Sequence, residues 1–287
     1  MKPFDFIQPQ TTDAALAALA EHSPNVRILN GGTDYVVELK HVAQSPGVVV
    51  DISRLQDLKG IEITDAGLRI GAGVTHSEIM ADPLIAEHAP AMIDAAHTVG
   101  AVQTRNLGTL GGNLVTCVPS MDSGPTLLAL DAQVTILGPK GSRQIPLSEF
   151  FVFVRKTALE PDELLLEIII PKENLGKPAG FIKFGLRKGQ ALALVNAASA
   201  FRIEDGKFKD VRIALGAVAP VVIRAAKAEA ILEGQAVSED LINEAAKIAV
   251  TEASPIDDFR ASKEYRNDLI EVGARRTMQA ALAAANA

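Results

Sequence analysis

Two short stretches carry the residues best suited to chemistry. "ILNGGTDY" (28–35) and "TLGGNLVT" (109–116) each run from apolar residues into a glycine pair and then a short polar side chain, Thr33 or Asn113. Glycine has no Cβ, so backbone amides beside it can approach an anion, and consecutive amides can form a concave nest for one. Threonine and asparagine add side-chain donors. Two such loops could hold one diphosphate from two sides; for either pair alone, a tight turn is the plainer alternative. Adjacent glycines also lose much backbone entropy on ordering, so Gly111 and Gly112 are expected outside a helix interior. Downstream, Asp122 cannot assist an anion by charge. Its carboxylate can accept from ribose hydroxyls or amides, or stand as an acidic residue at the start of the helix expected over "GPTLLALDA".

Other chemistries find little support. "IGAGVTHSEI" contains Gly71-x-Gly73, but His76 occupies the third glycine position of a dinucleotide fingerprint, and "GPKGSR" lacks the spacing of a P-loop. His76 falls inside a capping box made by Thr75 and Glu78, and is expected as a first-turn surface residue. His22, His41, His88 and His97 stand without partners at metal-ligand spacing, so no metal site is expected. Ser120 and Ser123 lack a nucleophile elbow.

The elements that must position these residues follow from the pattern of the 287-residue chain. Its formal net charge of −7 argues against a general nucleic-acid or anionic-membrane binder. The single cysteine, Cys117, excludes an internal disulfide and any Cys-ligated iron–sulfur cluster within the chain. "MKPFDFIQPQ" has no apolar signal core and no apolar run reaches transmembrane length, so a cytoplasmic protein is expected. With aromatics at 4% and no Trp, a planar ligand would rest mainly on aliphatic walls and backbone.

"TTDAALAALAEH" reads as a helix, "NVRIL" and "GVVVDI" as strands, and "TDYVVELKHV" as the opening of a short helix. "IEIT" and "LRIG" around Asp65-Ala66-Gly67 read as a hairpin, "APAMIDAAHTVG" as a helix, and "QVTILG" as a strand. "ELLLEIIIP" is the strongest buried strand, ended by Pro171. "KENLGKPAG" is the best candidate linker. Beyond it come three strands, "FIKFGLR", "ALVNAASAFRI" and "FKDVRIALGAV", the last two joined through Asp205-Gly206, then helices near 224–232, 239–253 and 263–283. Strand runs followed by helix runs predict an α+β protein.

"TRNLGTLGGNLVTCVPSMDSGPTLLALDAQVTI" closely resembles the FAD-binding medium subunits of the molybdenum hydroxylases, the xanthine dehydrogenase and carbon monoxide dehydrogenase group. "ILNGGTDYVVELK", "IGAGVTHSEI", "ELLLEIIIP" and "DFRASKEYR" extend the likeness, in order, over nearly the whole chain. The resemblance implies an FAD-binding domain of the p-cresol methylhydroxylase and vanillyl-alcohol oxidase type over 1–172, with subdomains of about 1–55 and 56–172. A C-terminal α+β domain over 178–287, a three-stranded sheet plus helices, would cover the flavin.

By this resemblance Asn30, Gly31, Gly32, Thr33, Asp34, Thr109, Gly111, Gly112 and Asn113 would hold the FAD diphosphate and neighbouring atoms. Thr116 and Asp122 would meet polar groups of the cofactor, and Leu165 and Lys183 would lie against it. Partners would be a large molybdopterin-binding subunit and a small [2Fe-2S] subunit, with NAD, a quinone or oxygen as electron acceptor. No catalytic proton-transfer residue is expected, because the flavin carries the redox chemistry. Ala191 stands at the position where many relatives have an aspartate, and loss of a negative charge there favours a reduced, anionic flavin. The cysteine-bearing insertion of the 4-hydroxybenzoyl-CoA reductase relatives is missing, so no additional cluster is expected. The rivals are a self-sufficient FAD-dependent reductase or oxidase of similar fold, and a nucleotide-sensing module without redox work.

Overall fold

The computed structural model describes residues 2–41 and 46–286. The N-terminal part contains β1 (Asp5–Ile7), α1 (Thr12–His22), β2 (Val26–Leu29), α2 (Tyr35–Leu39) and β3 (Val48–Asp51). Its strands form a parallel sheet in the order β1-β3-β2. The α1 helix starts on Thr11, whose hydroxyl accepts from the Ala14 amide, and buries Ala15, Leu16 and Leu19 against this sheet. Periodicity does not foresee β1, which has only three residues, with Phe6 exposed on the sheet edge. The last residue of "TDYVVELKHV", Val42, lies outside the described residues.

A second sheet is assembled from β4 (Ile61–Thr64), β5 (Gly67–Gly71), β6 (Gln133–Gly138), β7 (Gly141–Pro146) and β10 (Leu164–Pro171), in the order β4-β5-β10-β6-β7. The strand of "ELLLEIIIP" sits at its centre, as its largely buried apolar run requires, and pairs antiparallel with both neighbours. Between β5 and β6 lie six short helices: α3 (His76–Ala81), α4 (Pro83–His88), α5 (Ala91–His97), α6 (Val102–Leu107), α7 (Leu110–Thr116) and α8 (Ser123–Ala129). Between β7 and β10 come α9 (Leu147–Phe150) and the small β8 (Phe151–Phe153) and β9 (Lys156–Thr157) hairpin. The capping box is present: the Thr75 hydroxyl accepts from the Glu78 amide, and Glu78 reaches back to the Thr75 amide at 2.7 Å.

The C-terminal part comprises β11 (Ala179–Phe184), β12 (Val195–Glu204), β13 (Lys207–Gly216), β14 (Ile223–Arg224), α10 (Ala226–Leu232), α11 (Glu239–Glu252) and α12 (Lys263–Ala285). Three long strands are as expected, joined by the Asp205-Gly206 turn, in which both residues have positive φ. The two-residue β14 makes the sheet four-stranded, and Arg224 belongs to it rather than to the following helix. The helices cover one face of this sheet through an apolar stripe that includes Ile242, Ala245, Ile270, Ala274 and Met278. On its other side, α8 is buried along its whole length, against residues of β12 and β13 such as Ala198 and Ala214. No described helix is long and apolar enough to cross a membrane.

"KENLGKPAG" departs from the expectation of a linker. Its Asn174 side chain donates to the Leu130 carbonyl at 3.0 Å, and Lys177 is only 1% exposed. The Lys177 ammonium meets Asp210 on β13 at 2.8 Å, and Arg202 and Arg212 reach the same carboxylate. Glycine, proline and lysine serve here to seat a chain reversal against the sheet. Breaking a buried ion pair on one side leaves an uncompensated charge, so Asp210→Asn is expected to cost about 2–3 kcal/mol, less than a wholly buried pair because Asp210 keeps some water. Urea unfolding checks this, and Lys177→Met in the same background should restore most of the loss.

Candidate functional site

The two glycine stretches meet at one cavity of about 390 Å³. Asn30, Gly31, Gly32, Thr33 and Asp34 line it from the turn between β2 and α2. Thr109, Gly111, Gly112, Asn113 and Thr116 line it from α7 and its cap, joined by Asp122 before α8 and Leu165 on β10. Lys183 alone of the expected residues is set back from the wall. Its ammonium donates to Asp122 Oδ2 at 2.6 Å and to the Thr98 carbonyl at 3.1 Å.

The first stretch leaves no room for side chains at its glycines. A Cβ on Gly31 would run into the Leu107 carbonyl, and Gly32 has φ +69°, in the left-handed region. Among the described residues, the amides of Gly31, Gly32, Thr33 and Asp34 donate to nothing, while the carbonyls of Gly32 and Asp34 accept from Val36 and Glu38. The N–H groups of this turn, before α2, are therefore uncommitted. Burial, helped by Glu38 and opposed by Arg155, pushes the Asp34 carboxyl above the usual range. The Tyr35 hydroxyl, also on the cavity wall, is buried without a partner.

In the second stretch Gly111 and Gly112 lie in the first turn of α7, outside a helix interior as expected. Their entropic cost is offset because Thr109 caps the helix: its hydroxyl accepts from the Gly112 amide at 3.1 Å and its carbonyl from Asn113 at 3.0 Å. The Gly111 amide donates to the Ala72 carbonyl at 2.9 Å, and a Cβ there would sit 2.6 Å from Ala72 atoms. These two amides are thus committed to the fold. What remains for a ligand is the Asn113 amide nitrogen, since its Oδ1 accepts from the Ser123 amide at 3.4 Å. Thr116 donates to the Gly112 carbonyl at 2.7 Å.

Asp122 stands at the N-cap position of α8, as the acidic helix-start alternative has it, but makes no side-chain cap to the helix. Its carboxylate accepts from Lys183, and from the Asn196 side chain at 3.2 Å. Burial pushes its pKa up to about 6, with Lys183 and Asn196 pulling the other way. The remaining wall is mostly aliphatic, with Ile28, Ile52, Val99, Val115, Val118 and Leu164. Gln190, Ala191 and Leu192 approach from the segment between β11 and β12, and the Gln190 amide donates to the Gly100 carbonyl at 2.9 Å. No carboxylate stands at position 191.

The reading from sequence missed His76. It is not a surface residue: it is 1% exposed, lines the cavity, and has an Nδ1 without a partner. Burial, aided by Arg105, lowers its pKa to about 4. The one available signal was its place at the end of the Gly-x-Gly spacing, at the start of a helix that faces the glycine stretches.

Residues 2–173 match the model of the FAD binding domain in molybdopterin dehydrogenase, and residues 181–281 that of the CO dehydrogenase flavoprotein C-terminal domain. The chain is 32% identical over 289 residues to a xanthine dehydrogenase FAD-binding subunit of Escherichia coli O157:H7, covering 98% of each. It is 33% identical to the 6-hydroxypseudooxynicotine dehydrogenase complex subunit alpha of Paenarthrobacter nicotinovorans, covering 98% of this chain and 96% of that one. A chain of the carbon monoxide dehydrogenase from Hydrogenophaga pseudoflava superposes with a TM-score of 0.94 at 29% identity, covering 99% of both. The fold, the α+β arrangement and the matched spans agree, and the chain belongs to the FAD-binding subunits of the molybdenum hydroxylases, the xanthine and carbon monoxide dehydrogenase family.

Proposed function

We propose that this chain, the FAD-binding part of an oxidoreductase, is the electron outlet of a molybdenum hydroxylase-type complex. In this reading it takes electrons from the iron–sulfur clusters of a small partner subunit and passes them to NAD, a quinone or oxygen. A large molybdopterin-binding subunit would oxidise the substrate. Residues 1–172 hold the cofactor and residues 178–287 cover it.

The observation that carries the reading is the pairing, in one cavity, of an uncommitted amide nest with a hydroxyl-accepting carboxylate. A flavin dinucleotide fits those groups. The amides of 31–34 and the Asn113 side chain suit its diphosphate, Asp122 suits its hydroxyls, and the aliphatic wall with Leu165 suits a planar ring. When bound, FAD supplies the redox chemistry, and the protein binds, orients and shields it. Lys183 is a positioning residue in this scheme. It holds Asp122 in place and keeps a buried carboxylate charged enough to accept hydrogen bonds.

Gly31→Ala should lower FAD retention at least about tenfold, a loss of about 1.4 kcal/mol or more, since no side chain fits against the Leu107 carbonyl. Gly112→Ala should be milder, because its Cβ meets only the Thr109 hydroxyl, at 2.9 Å. Flavin absorbance per chain after gel filtration measures both. In the purified complex, loss of FAD through Gly31→Ala should leave the clusters reducible by substrate while reduction of the external acceptor stops; acceptor reduction at the parent rate would refute the outlet role. Lys183→Met should raise the Asp122 pKa above its present value of about 6, because an attracting cation is removed. Infrared difference spectra near neutral pH should then show a protonated carboxyl that the parent lacks.

A further inference from the structure

We infer that His76 forms a wall of the diphosphate subsite and takes up a proton when the diphosphate binds, so that cofactor affinity rises as the pH falls. The inference rests on the FAD reading above.

Thr75 pairs with Thr109 through a single β-bridge, and the His76 amide donates to the Gly108 carbonyl at 3.1 Å. These bonds set the imidazole over Gly108. The place a Cβ would take on that glycine lies 3.6 Å from His76 Cδ2 and 3.3 Å from Thr33 Oγ1. His76 and Thr33 therefore close on one glycine from two directions, and Thr33 belongs to the turn whose amides are free. An anion seated on that turn comes within reach of the ring.

The ring is all but inaccessible, yet its Nδ1 is buried without a hydrogen-bond partner among the described residues. A polar side chain so placed calls for a ligand. The charges around it are Arg105 from α6, Asp34 from the turn before α2, and Glu78 on its own helix, the last engaged by Thr75. Arg105 is held by the carbonyls of His97 and Val99, both at 3.1 Å, and opposes a second positive charge nearby. In the free protein the ring is consequently neutral at pH 7, with its pKa lowered to about 4. A phosphate oxygen beside it reverses the balance, because an opposite charge close by favours the imidazolium. One proton then comes from solvent and one ring N–H donates to the anion.

The sign follows from linkage. The complex carries one more proton than the free protein, so affinity rises by up to about tenfold for each pH unit lowered, between the bound and free pKa values of His76. Asp34 contributes in the same direction when it is protonated, so the test must read the His76 ring itself.

The chain is labelled with ¹⁵N-histidine and compared with FAD bound and after its removal, with His76→Gln identifying the signal. The expected result is an imidazolium at pH about 6 in the FAD-loaded protein and a neutral ring at the same pH without FAD. ADP-ribose serves as a second probe, since its diphosphate is a diester with no proton to exchange near neutrality. It should bind the parent about tenfold more tightly at pH about 6 than one unit higher, and His76→Gln should lose most of that difference. A neutral His76 in the FAD-loaded protein, or an unchanged pH slope in the variant, overturns the inference while leaving the FAD reading intact. Failure of the parent to take up FAD or ADP-ribose at either pH would instead overturn the FAD reading.

Discussion

The cavity exists because backbone is allowed to rest directly on backbone. Gly31 lies on the Leu107 carbonyl, Gly111 on Ala72, and Gly71 and Gly73 on Leu58, with Thr33 and His76 closing over Gly108. The approaches at Gly31, Gly71, Gly73 and Gly111 are closer than a side chain would permit. Together they pull the parallel sheet of the N-terminal part against the start of α7 and the turn after β5. The two glycine stretches consequently share a floor, where free amides of the first face the same cavity as the Asn113 and Asp122 side chains. A substitution on this floor acts on the geometry of the site before it acts on any single contact.

Much of this organisation was legible in the residues themselves. The apolar run of β10, the capping box at Thr75, the Asp205-Gly206 turn and the motif order all pointed to the fold that is found. Gly111 and Gly112 are poor helix formers, and the Thr109 cap and the contact with Ala72 hold them in a first helical turn. Local rules failed where tertiary contacts outweighed them. The 172–180 segment has the composition of a linker, and only the distant Asp210 and Leu130 reveal that it is anchored. His76 looked like a surface residue because a first-turn position usually is one; nothing local shows that Gly108 leaves room for its ring.

The two glycine stretches, alike in sequence, divide the work between them. The turn at 31–34 keeps its amides free, whereas α7 commits those of Gly111 and Gly112 to its own cap and to Ala72. Motif likeness therefore overstates likeness of role. The C-terminal part enters the site through a buried chain of contacts, from Lys183 and Asn196 to Asp122, and through the 190–192 segment on the cavity wall. Since α8 is buried against the same sheet, the carboxylate that faces the cavity is set by packing between the two halves of the molecule.

The α6 helix buries none of its residues, and Val102 and Leu107 are largely exposed. It is held by its ends: the Arg105 amide bonds Ala101, the Gly108 amide bonds Thr104, and the Arg105 side chain ties it to His97 and Val99. The inner side of this segment thus obeys strict backbone geometry, while its outer side answers to no core. Over evolutionary time such a helix can change its outward face, and with it whatever surface it meets, without redrawing the cavity behind it.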